Sequence, residues 1–501
     1  MLSDPKPTRV FDARVFFVLA LLTFLFFLPA ATMQGVYFFG DAQDYFSRLA
    51  YSAERLRGGQ FATWNPYLSM GNSQIGDPAA MAAYAPALLL FVILPAPLAF
   101  NFTYLLHALL AAAGAFMLAS SWGQSRGASI LAACVFAFNG FFVAHVQHLN
   151  IFVALAWLPW LVYCIERFFQ TRRVLYFAYG GLVLGLQILG GHTQIVLYSA
   201  VVWGMYACVC LIRARADGTR EILKTLAGLG LMVVCGLGLA ALYLVPFLEL
   251  LNTLGRVGTP SYEFATILSL EPARVITLLY PYFLGGNFGA PERGPGFMVE
   301  MSAYLGSLPL ALAAFSFTQR NWRIWFLGAF VVLGLVLALG GFTPLYALVY
   351  RLPLFGTVRA PARFLMWFIF GIAFLAGFGL DALRVAPKNS RAGWIIGIVL
   401  SALSIASFLL IGLPNVLALP KTIERAFTNS AFLVACVFIA SSTSVWWLWT
   451  RKVFSERARL LMTGALIFFD LIVYSANFTY NQLVPAGVYF EPTRNDTDLG
   501  R

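Results

Sequence analysis

The sequence has few charged residues for its length. Asp, Glu, Lys and Arg make up 11% of its 501 residues, against about 25% in an ordinary soluble domain. Apolar residues account for 60% of the chain, and the mean hydropathy is +0.79. Such a chain has too little polar surface to cover a water-soluble globule, and it also differs from fibrous, disordered and disulfide-rich classes. The composition therefore indicates a polytopic membrane protein.

Several motifs of other protein classes are missing as well. The six cysteines lie in apolar stretches and form no C-x-x-C pair, which argues against a disulfide framework or a cysteine metal site. No P-loop or G-x-G-x-x-G opens a predicted cytoplasmic helix, so no soluble nucleotide site is expected. The net charge is +12, but no run of four basic residues with interleaved aromatics occurs. This placement argues against nucleic-acid binding.

Long apolar stretches dominate what is present. A membrane-spanning helix needs roughly 20 mostly apolar residues, and thirteen stretches fit. They are about 14–32, 98–121, 128–144, 149–168, 174–191, 193–212, 225–247, 301–318, 323–340, 363–383, 393–413, 430–450 and 459–476. The shorter run 84–97 is either a half-inserted helix or part of the second span. The first stretch resembles a signal peptide, but twelve more follow, so we interpret it as an uncleaved anchor.

The basic residues predict the orientation. With the N-terminus in the cytoplasm, every inside loop carries at least one Lys or Arg, and most acidic residues fall outside. This predicts a multi-pass membrane protein with its N-terminus in the cytoplasm and its C-terminus outside. Residues 1–476 would form the membrane domain, with long outer loops at 33–83, 248–300, 341–362 and 414–429. Residues 477–501 would form an outer tail.

The first outer loop holds the first candidates for catalysis. Asp41 and Asp44 precede a stretch with helical spacing of apolar residues and interspersed arginines, which predicts a helix lying in the membrane interface. A carboxylate near the bilayer surface has a raised pKa and can take a proton from an acceptor hydroxyl. The alternative is structural: Asp41 and Asp44 cap this helix and pair with Arg48.

Several segments resemble the YfhO-like bacterial membrane proteins. They are Gly40-Asp41 with the following helix, Gly58-Gly59-Gln60-Phe61, Trp64-Asn65-Pro66-Tyr67, Gly71, the block from Leu352 to Phe364, Glu300 with Ser302-Ala303-Tyr304-Leu305-Gly306, and the ending from Phe469-Asp470-Leu471 to Tyr489. The resemblance implies a GT-C-like fold and a glycosyltransferase that uses a polyprenyl-phosphate sugar. By position, Asp41 would be the catalytic acidic residue of the first outer loop, with Asp44 the second choice.

The resemblance weakens at the end of the chain. YfhO-like proteins often continue into a sizeable outer C-terminal domain, whereas about 25 residues follow the last predicted span. The tail is therefore that of a short member or the start of a missing outer domain. Of the predictions that the resemblance implies, the one most affected by this difference is how the protein recognises its acceptor.

Arginines at the outer surface are candidates for binding the donor phosphate, because guanidinium groups bind phosphate with two hydrogen bonds. They are Arg359, Arg363, Arg256 and Arg274. The alternative is anchoring to lipid headgroups. Candidates for sugar or acceptor binding are Trp64, Asn65, Tyr67, Asp77, His148, His192, Gln194 and Glu300. His145, His148 and His192 reach one outer surface, but no fourth ligand is apparent; no metal ligands are assigned, and a divalent metal is left open.

The combined prediction is an all-α membrane glycosyltransferase of the GT-C type. It would move a sugar from a polyprenyl-phosphate carrier to an envelope glycopolymer, lipid or protein on the outer face. A transporter or flippase of lipid-linked saccharides is the first alternative, and it requires polar residues at mid-membrane depth such as Gln187 and Asp470. A non-catalytic scaffold for envelope assembly is the second.

Overall fold

The computed structural model describes residues 12–68, 70–215, 218–253, 260–287, 291–293, 296–417 and 430–490. The α-helices are Ala13–Phe26, Leu28–Ala31, Ala42–Arg57, Ala85–Ile93, Ala96–Ser121, Arg126–Ala137, Gly140–Ala144, Leu149–Ala156, Leu158–Thr171, Leu175–Leu189, Thr193–Arg213, Thr219–Thr253, Tyr262–Thr266, Met298–Met301, Ser307–Ser316, Trp322–Ala338, Pro344–Tyr350, Leu365–Val385, Arg391–Leu417, Ser430–Thr450 and Glu456–Asn477. Short 3-10 helices are Pro78–Ala80, His145–Gln147, Pro272–Leu278, Gly340–Phe342, Phe355–Thr357, Pro361–Phe364, Thr479–Asn481 and Ala486–Tyr489.

The predicted all-α membrane architecture is confirmed. In the described ranges, nine helical spans are long and apolar enough to cross a membrane, and four shorter apolar helices accompany them. Two of the nine, Arg126–Gln147 and Leu149–Thr171, consist of consecutive shorter helices. These thirteen segments fall on the thirteen predicted stretches. Within the run 84–97, Ala85–Ile93 forms a separate helix. The next helix begins at Ala96, directly after Pro95. Leu365–Val385 is buried on almost every side and forms the centre of the bundle.

Four of the predicted spans are not continuous helices. Stretch 14–32 breaks at Phe27, two residues before Pro29. Stretch 128–144 breaks at Asn139, whose side chain caps the short helix Gly140–Ala144 by accepting from two backbone amides. Stretch 149–168 breaks at Trp157, two residues before Pro159. Within stretch 301–318 only Ser307–Ser316 is helical, because Gly306 has a φ of +89°, a conformation that a right-handed helix does not contain.

The residues before Gly306 form a buried extended segment, 302–306. Irregular backbone at membrane depth requires hydrogen-bond partners from the protein. The carbonyl oxygen of Tyr304 accepts from the amide of Gly140 at 2.6 Å, and the Tyr304 hydroxyl donates to Asp470 at 2.9 Å. The partner of Asp470 is thus Tyr304, from another part of the bundle.

The tail folds back onto the first outer loop. Val36–Tyr37 pairs antiparallel with Leu483–Val484, and the ring of Tyr489 stacks on Phe46 with 3.8 Å between centroids. A second two-stranded sheet joins Trp64–Asn65 to Asn72–Ser73 within the loop. The last described residues therefore support the segment that contains Asp41.

Charged residues predicted to lie inside meet at the opposite end of the bundle from this loop. The contacts are Arg126 with Asp12, Arg323 with Glu166, and Arg384 with both Asp381 and Glu456. One end of the bundle thus carries the predicted inside loops. Which end faces the cytoplasm stays a prediction from the distribution of basic residues.

The close approach of Gly140 to Tyr304 generates a stability prediction. A Cβ at Gly140 would lie 2.6 Å from the Tyr304 backbone nitrogen, and overpacking of this kind costs about 1–3 kcal/mol. We expect Gly140→Ala to lower the free energy of unfolding by that amount in a detergent-based unfolding assay. Gly230→Ala is the matched control, since nothing lies within 4 Å of its added Cβ. Equal stability of the two variants would contradict the packing seen here.

Candidate active site

The helix Ala42–Arg57 follows Asp41 in the first outer loop, where the spacing of apolar residues predicted a helix. Its apolar face, including Tyr45, Phe46 and Leu49, is buried against the bundle. The Tyr45 hydroxyl donates to the side-chain oxygen of Asn150 at 2.7 Å. This contact fixes the start of the helix over the turn that carries His145 and His148.

One arginine of this helix is buried and joins it to another part of the loop. Arg48 is buried, donates to Asp77 at very short range, and contacts Asp44 at 3.3 Å. Asp77 also accepts from Asn72 at 3.0 Å and from the amide of Ala79. The contact of Arg48 with Asp77 joins the helix to the segment 71–78, which contains Gly71 and Gly76. Asp77 is therefore a structural link in this geometry, and its predicted role in sugar binding stays a prediction.

Asp41 differs from the other carboxylates of the loop. Its side chain makes no capping hydrogen bond, although its carbonyl accepts from the amides of Asp44 and Tyr45. The carboxylate is 64% exposed, and its Oδ2 lies 3.7 Å from Nε2 of His148. Gly40 brings it there with a φ of +62°, and a Cβ at Gly40 would overlap Gln147. The structure thus separates Asp41, whose carboxylate is accessible, from Asp44, which pairs with Arg48.

The surroundings make Asp41 a better base than a free aspartate. Partial burial and the charge of Asp44 raise the pKa of the Asp41 carboxyl, while Arg363 and Arg359 oppose the rise. A carboxylate with a raised pKa holds a proton more tightly once it has taken one. The same contributions place Arg359 and Arg363 within electrostatic range of Asp41.

Two histidines lie behind Asp41. Burial, reinforced by His145, lowers the pKa of His148 to about 3, so the imidazole is neutral and its contact with Asp41 is not an ion pair. Nδ1 of His148 is buried and has no hydrogen-bond partner among the described residues. Nδ1 of His145 donates to the Phe141 carbonyl at 2.9 Å, and its Nε2 lies 3.4 Å from Glu300. The neutral His148 leaves the negative charge of Asp41 uncompensated at this contact.

A buried ion pair forms the base of the site. Nε and Nη2 of Arg363 donate to the two oxygens of Glu300 at 2.8 and 2.6 Å. Burial acts to raise the pKa of Glu300, but Arg363 and His145 outweigh it and hold the pKa well below its usual range. Nη1 of Arg363 donates to Gln194 at 2.9 Å and lies 3.3 Å from Nε2 of His192. Glu300, His192, Gln194 and Arg363, all predicted site residues, therefore lie in one cluster.

Arg359 is four residues away but has a different environment. It is exposed, makes no ion pair with a described residue, and stacks over Phe264 with its guanidinium carbon 5.7 Å from the ring centroid. The next residue, Ala360, has a φ of +61°, and its carbonyl accepts a long hydrogen bond from Gln194. Arg359 therefore keeps a free charge at the surface, whereas the charge of Arg363 is neutralised by Glu300.

The other predicted residues lie outside this cluster. Arg274 is buried and pairs with Glu292 at 2.5 Å, and Arg256 lies outside the described residues. Asn65 is buried and donates to Gln74 at 3.2 Å. Trp64 and Tyr67 are exposed by 56% and 87% and remain available to stack on a ligand. The binding roles assigned to these residues stay predictions.

The cluster contains metal-ligating atoms but does not suit a divalent cation. Within the described part of the chain, ligand atoms of His145, His148 and Glu300 lie within 4.8 Å of one another. Both oxygens of Glu300 already accept from Arg363, and a cation there would lie beside a guanidinium group.

Reasoning from the sequence missed the residues that support the site. Gln147 packs against Gly40, Asn150 holds Tyr45, and Arg48 holds Asp77. For Gln147 and Asn150 the sequence did contain a signal, because the residues from His145 to Asn150 include several polar side chains between two apolar spans. For Arg48 the sequence indicated the pairing with Asp44 but not the contact with Asp77, which lies 29 positions away.

Comparison with known proteins identifies the fold. No protein-family model and no curated protein matches the sequence. The structure is similar to ArnT from Cupriavidus metallidurans bound to undecaprenyl phosphate, with 14% identity and a TM-score of 0.52 over 94% of this chain and 78% of ArnT. The apo form of ArnT gives the same score and identity. The chain thus has the GT-C fold of ArnT.

A more distant similarity was found to the archaeal oligosaccharyltransferase AglB from Archaeoglobus fulgidus. That structure holds an inhibitory peptide and a dolichol-phosphate. The identity is 12% and the TM-score 0.40, over 94% of this chain and 60% of AglB. These values are too low to support an argument. The predicted membership of the YfhO-like family is not matched by a family model and stays a prediction.

The buried ion pair generates a second stability prediction. Removing one partner of such a pair leaves an uncompensated charge and costs about 3–5 kcal/mol. We expect Glu300→Gln to lower the free energy of unfolding by this amount, measured in detergent. Asp44→Asn removes the carboxylate of an ion pair that is 58% exposed on the Asp side, so it should cost no more than about 1 kcal/mol. A loss no larger for Glu300→Gln than for Asp44→Asn would contradict the buried pairing.

Proposed function

We propose that this chain is a membrane glycosyltransferase. It takes a sugar from a polyprenyl-phosphate carrier and transfers it to a cell-envelope acceptor at the outer face of a bacterial inner membrane. The GT-C fold supports the class of enzyme, and the undecaprenyl phosphate in the similar ArnT structure supports the class of donor. The single observation that carries the proposal is the exposed Asp41 carboxylate, which is free of capping contacts and lies at a cluster of buried polar groups.

In the proposed reaction, Asp41 is the general base. Its carboxylate takes the proton of an acceptor hydroxyl, and the acceptor oxygen attacks the anomeric carbon of the donor sugar. The bond from that carbon to the phosphate oxygen breaks, and the lipid phosphate leaves with the bonding electrons. General-base catalysis of this kind contributes about 10²–10⁴-fold to a rate.

The two arginines have different proposed roles. Arg359 is exposed and has no carboxylate partner among the described residues, so it can pair with the charge that develops on the leaving phosphate. Arg363 is held by Glu300 and Gln194 and acts as a positioning residue. It aligns the polar cluster beneath Asp41. Trp64 and Tyr67 are placed to contact the sugar or the lipid.

The flippase alternative requires a polar route through the bundle. Gln187 donates to Ala154 and Ser199 at 2.9 and 3.0 Å, and Asp470 accepts from Tyr304. The Gln187 amide nitrogen and the Asp470 carboxylate are thus engaged in contacts between segments of the bundle. This makes transfer at the surface the better supported function.

The first test compares wild type with Asp41→Asn in liposomes that contain polyprenyl-phosphate sugars. We expect wild type to remove the sugar from one carrier and Asp41→Asn to do so at least about 100-fold more slowly, measured by mass spectrometry. An unchanged unfolding temperature would show that the variant is folded. Equal rates in both proteins would overturn the role of Asp41, and carrier that crosses the bilayer intact would favour the flippase.

The pH dependence separates Asp41 from Asp44. A general base acts when ionised, so the rate should rise with pH through the pKa of Asp41, which lies above the usual 3.8. Because the charge of Asp44 raises this pKa, Asp44→Asn should move the acidic limb of the rate profile to lower pH while transfer continues. Abolition of transfer by Asp44→Asn would instead make Asp44 the base.

A further inference from the structure

A second polar site lies at the opposite end of the bundle from Asp41. Helix Thr193–Arg213 begins beside the Glu300–Arg363 pair and has 21 residues, so its two ends are about 31 Å apart. At its far end an open cavity of ≈ 510 Å³ is lined by Arg213, Gln319, Arg320, Asn321 and Trp322.

The wall of this cavity is held rigidly. The guanidinium carbon of Arg323 lies 4.8 Å from the ring centroid of Trp322. Arg323 also donates to Glu166 at 2.6 Å, and Tyr206 donates to the same carboxylate. The charge of Arg323 is therefore compensated, and Trp322 is fixed on that side.

The two arginines that line the cavity are not compensated. The guanidinium carbon of Arg213 lies 5.0 Å from the Trp322 ring centroid. Arg213 and Arg320 are exposed and make no ion pair with any residue in the described ranges. Gln319 donates to the Phe378 carbonyl, and Asn321 accepts from the amide of Arg323. The groups left to bind a ligand are two guanidinium groups beside an indole ring, which together suit an anion.

The position of the cavity indicates where the anion comes from. It lies at the ends of apolar helices, where lipid headgroups meet the protein. Ile212 precedes Arg213, and Trp325 lies one helical turn after Trp322; they are exposed by 62% and 63%. At the end of a membrane helix such apolar side chains contact acyl chains rather than water. Basic pockets between membrane helices bind anionic headgroups. A free phosphate ion would gain nothing from these flanking residues.

We propose that this cavity binds the phosphate of an anionic phospholipid, held by Arg213 and Arg320 with the acyl chains against Ile212 and Trp325. Guanidinium groups donate paired hydrogen bonds to phosphate oxygens. The site is independent of the proposed transfer reaction, because none of its residues approaches Asp41.

The test measures lipid retention by the full chain. Wild type is reconstituted in nanodiscs of phosphatidylglycerol and phosphatidylcholine in equal amounts, then released into detergent for native mass spectrometry. We expect retained phosphatidylglycerol to exceed phosphatidylcholine. Arg213→Gln and Arg320→Gln should each lower its retention about fivefold, given the usual contribution of one surface arginine. Because both side chains are exposed and lack ion-pair partners in the described chain, the variants should remain folded, which the unfolding temperature checks.

Arg451→Gln is the matched control. Arg451 also lies over indole rings, those of Trp394 and Trp447 at 4.9 and 5.6 Å, but it does not line the cavity. Its variant should retain phosphatidylglycerol like wild type. Unchanged retention in the double variant Arg213→Gln/Arg320→Gln would overturn the proposal. Displacement of the lipid by inorganic phosphate alone, with equal retention of the two lipids, would overturn the assignment to a phospholipid.

Discussion

The arrangement of the candidate site depends on the ion pair between Glu300 and Arg363. Glu300 lies just before the extended segment 302–306, and Arg363 lies just before the central helix Leu365–Val385. The carboxylate also meets His145, and the guanidinium also meets Gln194. Four separate parts of the chain are thus joined by one pair of charges. A buried charge is costly without its partner, so these segments must meet in this one arrangement.

The pair also explains how an acidic residue next to it can remain reactive. Glu300 and Arg363 neutralise each other, and His148 is neutral. The charge of Asp41 is therefore not compensated by a direct contact with any described residue. Asp44 and Asp77 belong to the same loop, but their carboxylates contact Arg48. Three aspartates close in sequence thus have different environments, because among the described residues only Asp44 and Asp77 contact an arginine.

The two ends of the bundle use arginine in a similar way. At each end one arginine is neutralised by a buried glutamate, namely Arg363 by Glu300 and Arg323 by Glu166. A nearby arginine is exposed and has no ion-pair partner in the described part of the chain, Arg359 at one end and Arg213 at the other. The paired arginine supports the structure, and the exposed arginine is available for an anion.

The sequence alone determined the membrane class, the thirteen apolar helices and the helix after Asp41, because these follow from local hydropathy and from the spacing of apolar residues. It also placed Asp41, His148, His192, Gln194, Glu300 and Arg363 among the candidates. Only the tertiary structure decided how these residues pair, since Glu300 and Arg363 are 63 positions apart. It also decided that 302–306 is extended rather than helical, because the hydrogen bond from Gly140 and the φ of Gly306 outweigh the apolar pattern. Contacts between distant segments leave no periodic signal in one sequence, and they set the charge and accessibility of each acidic residue.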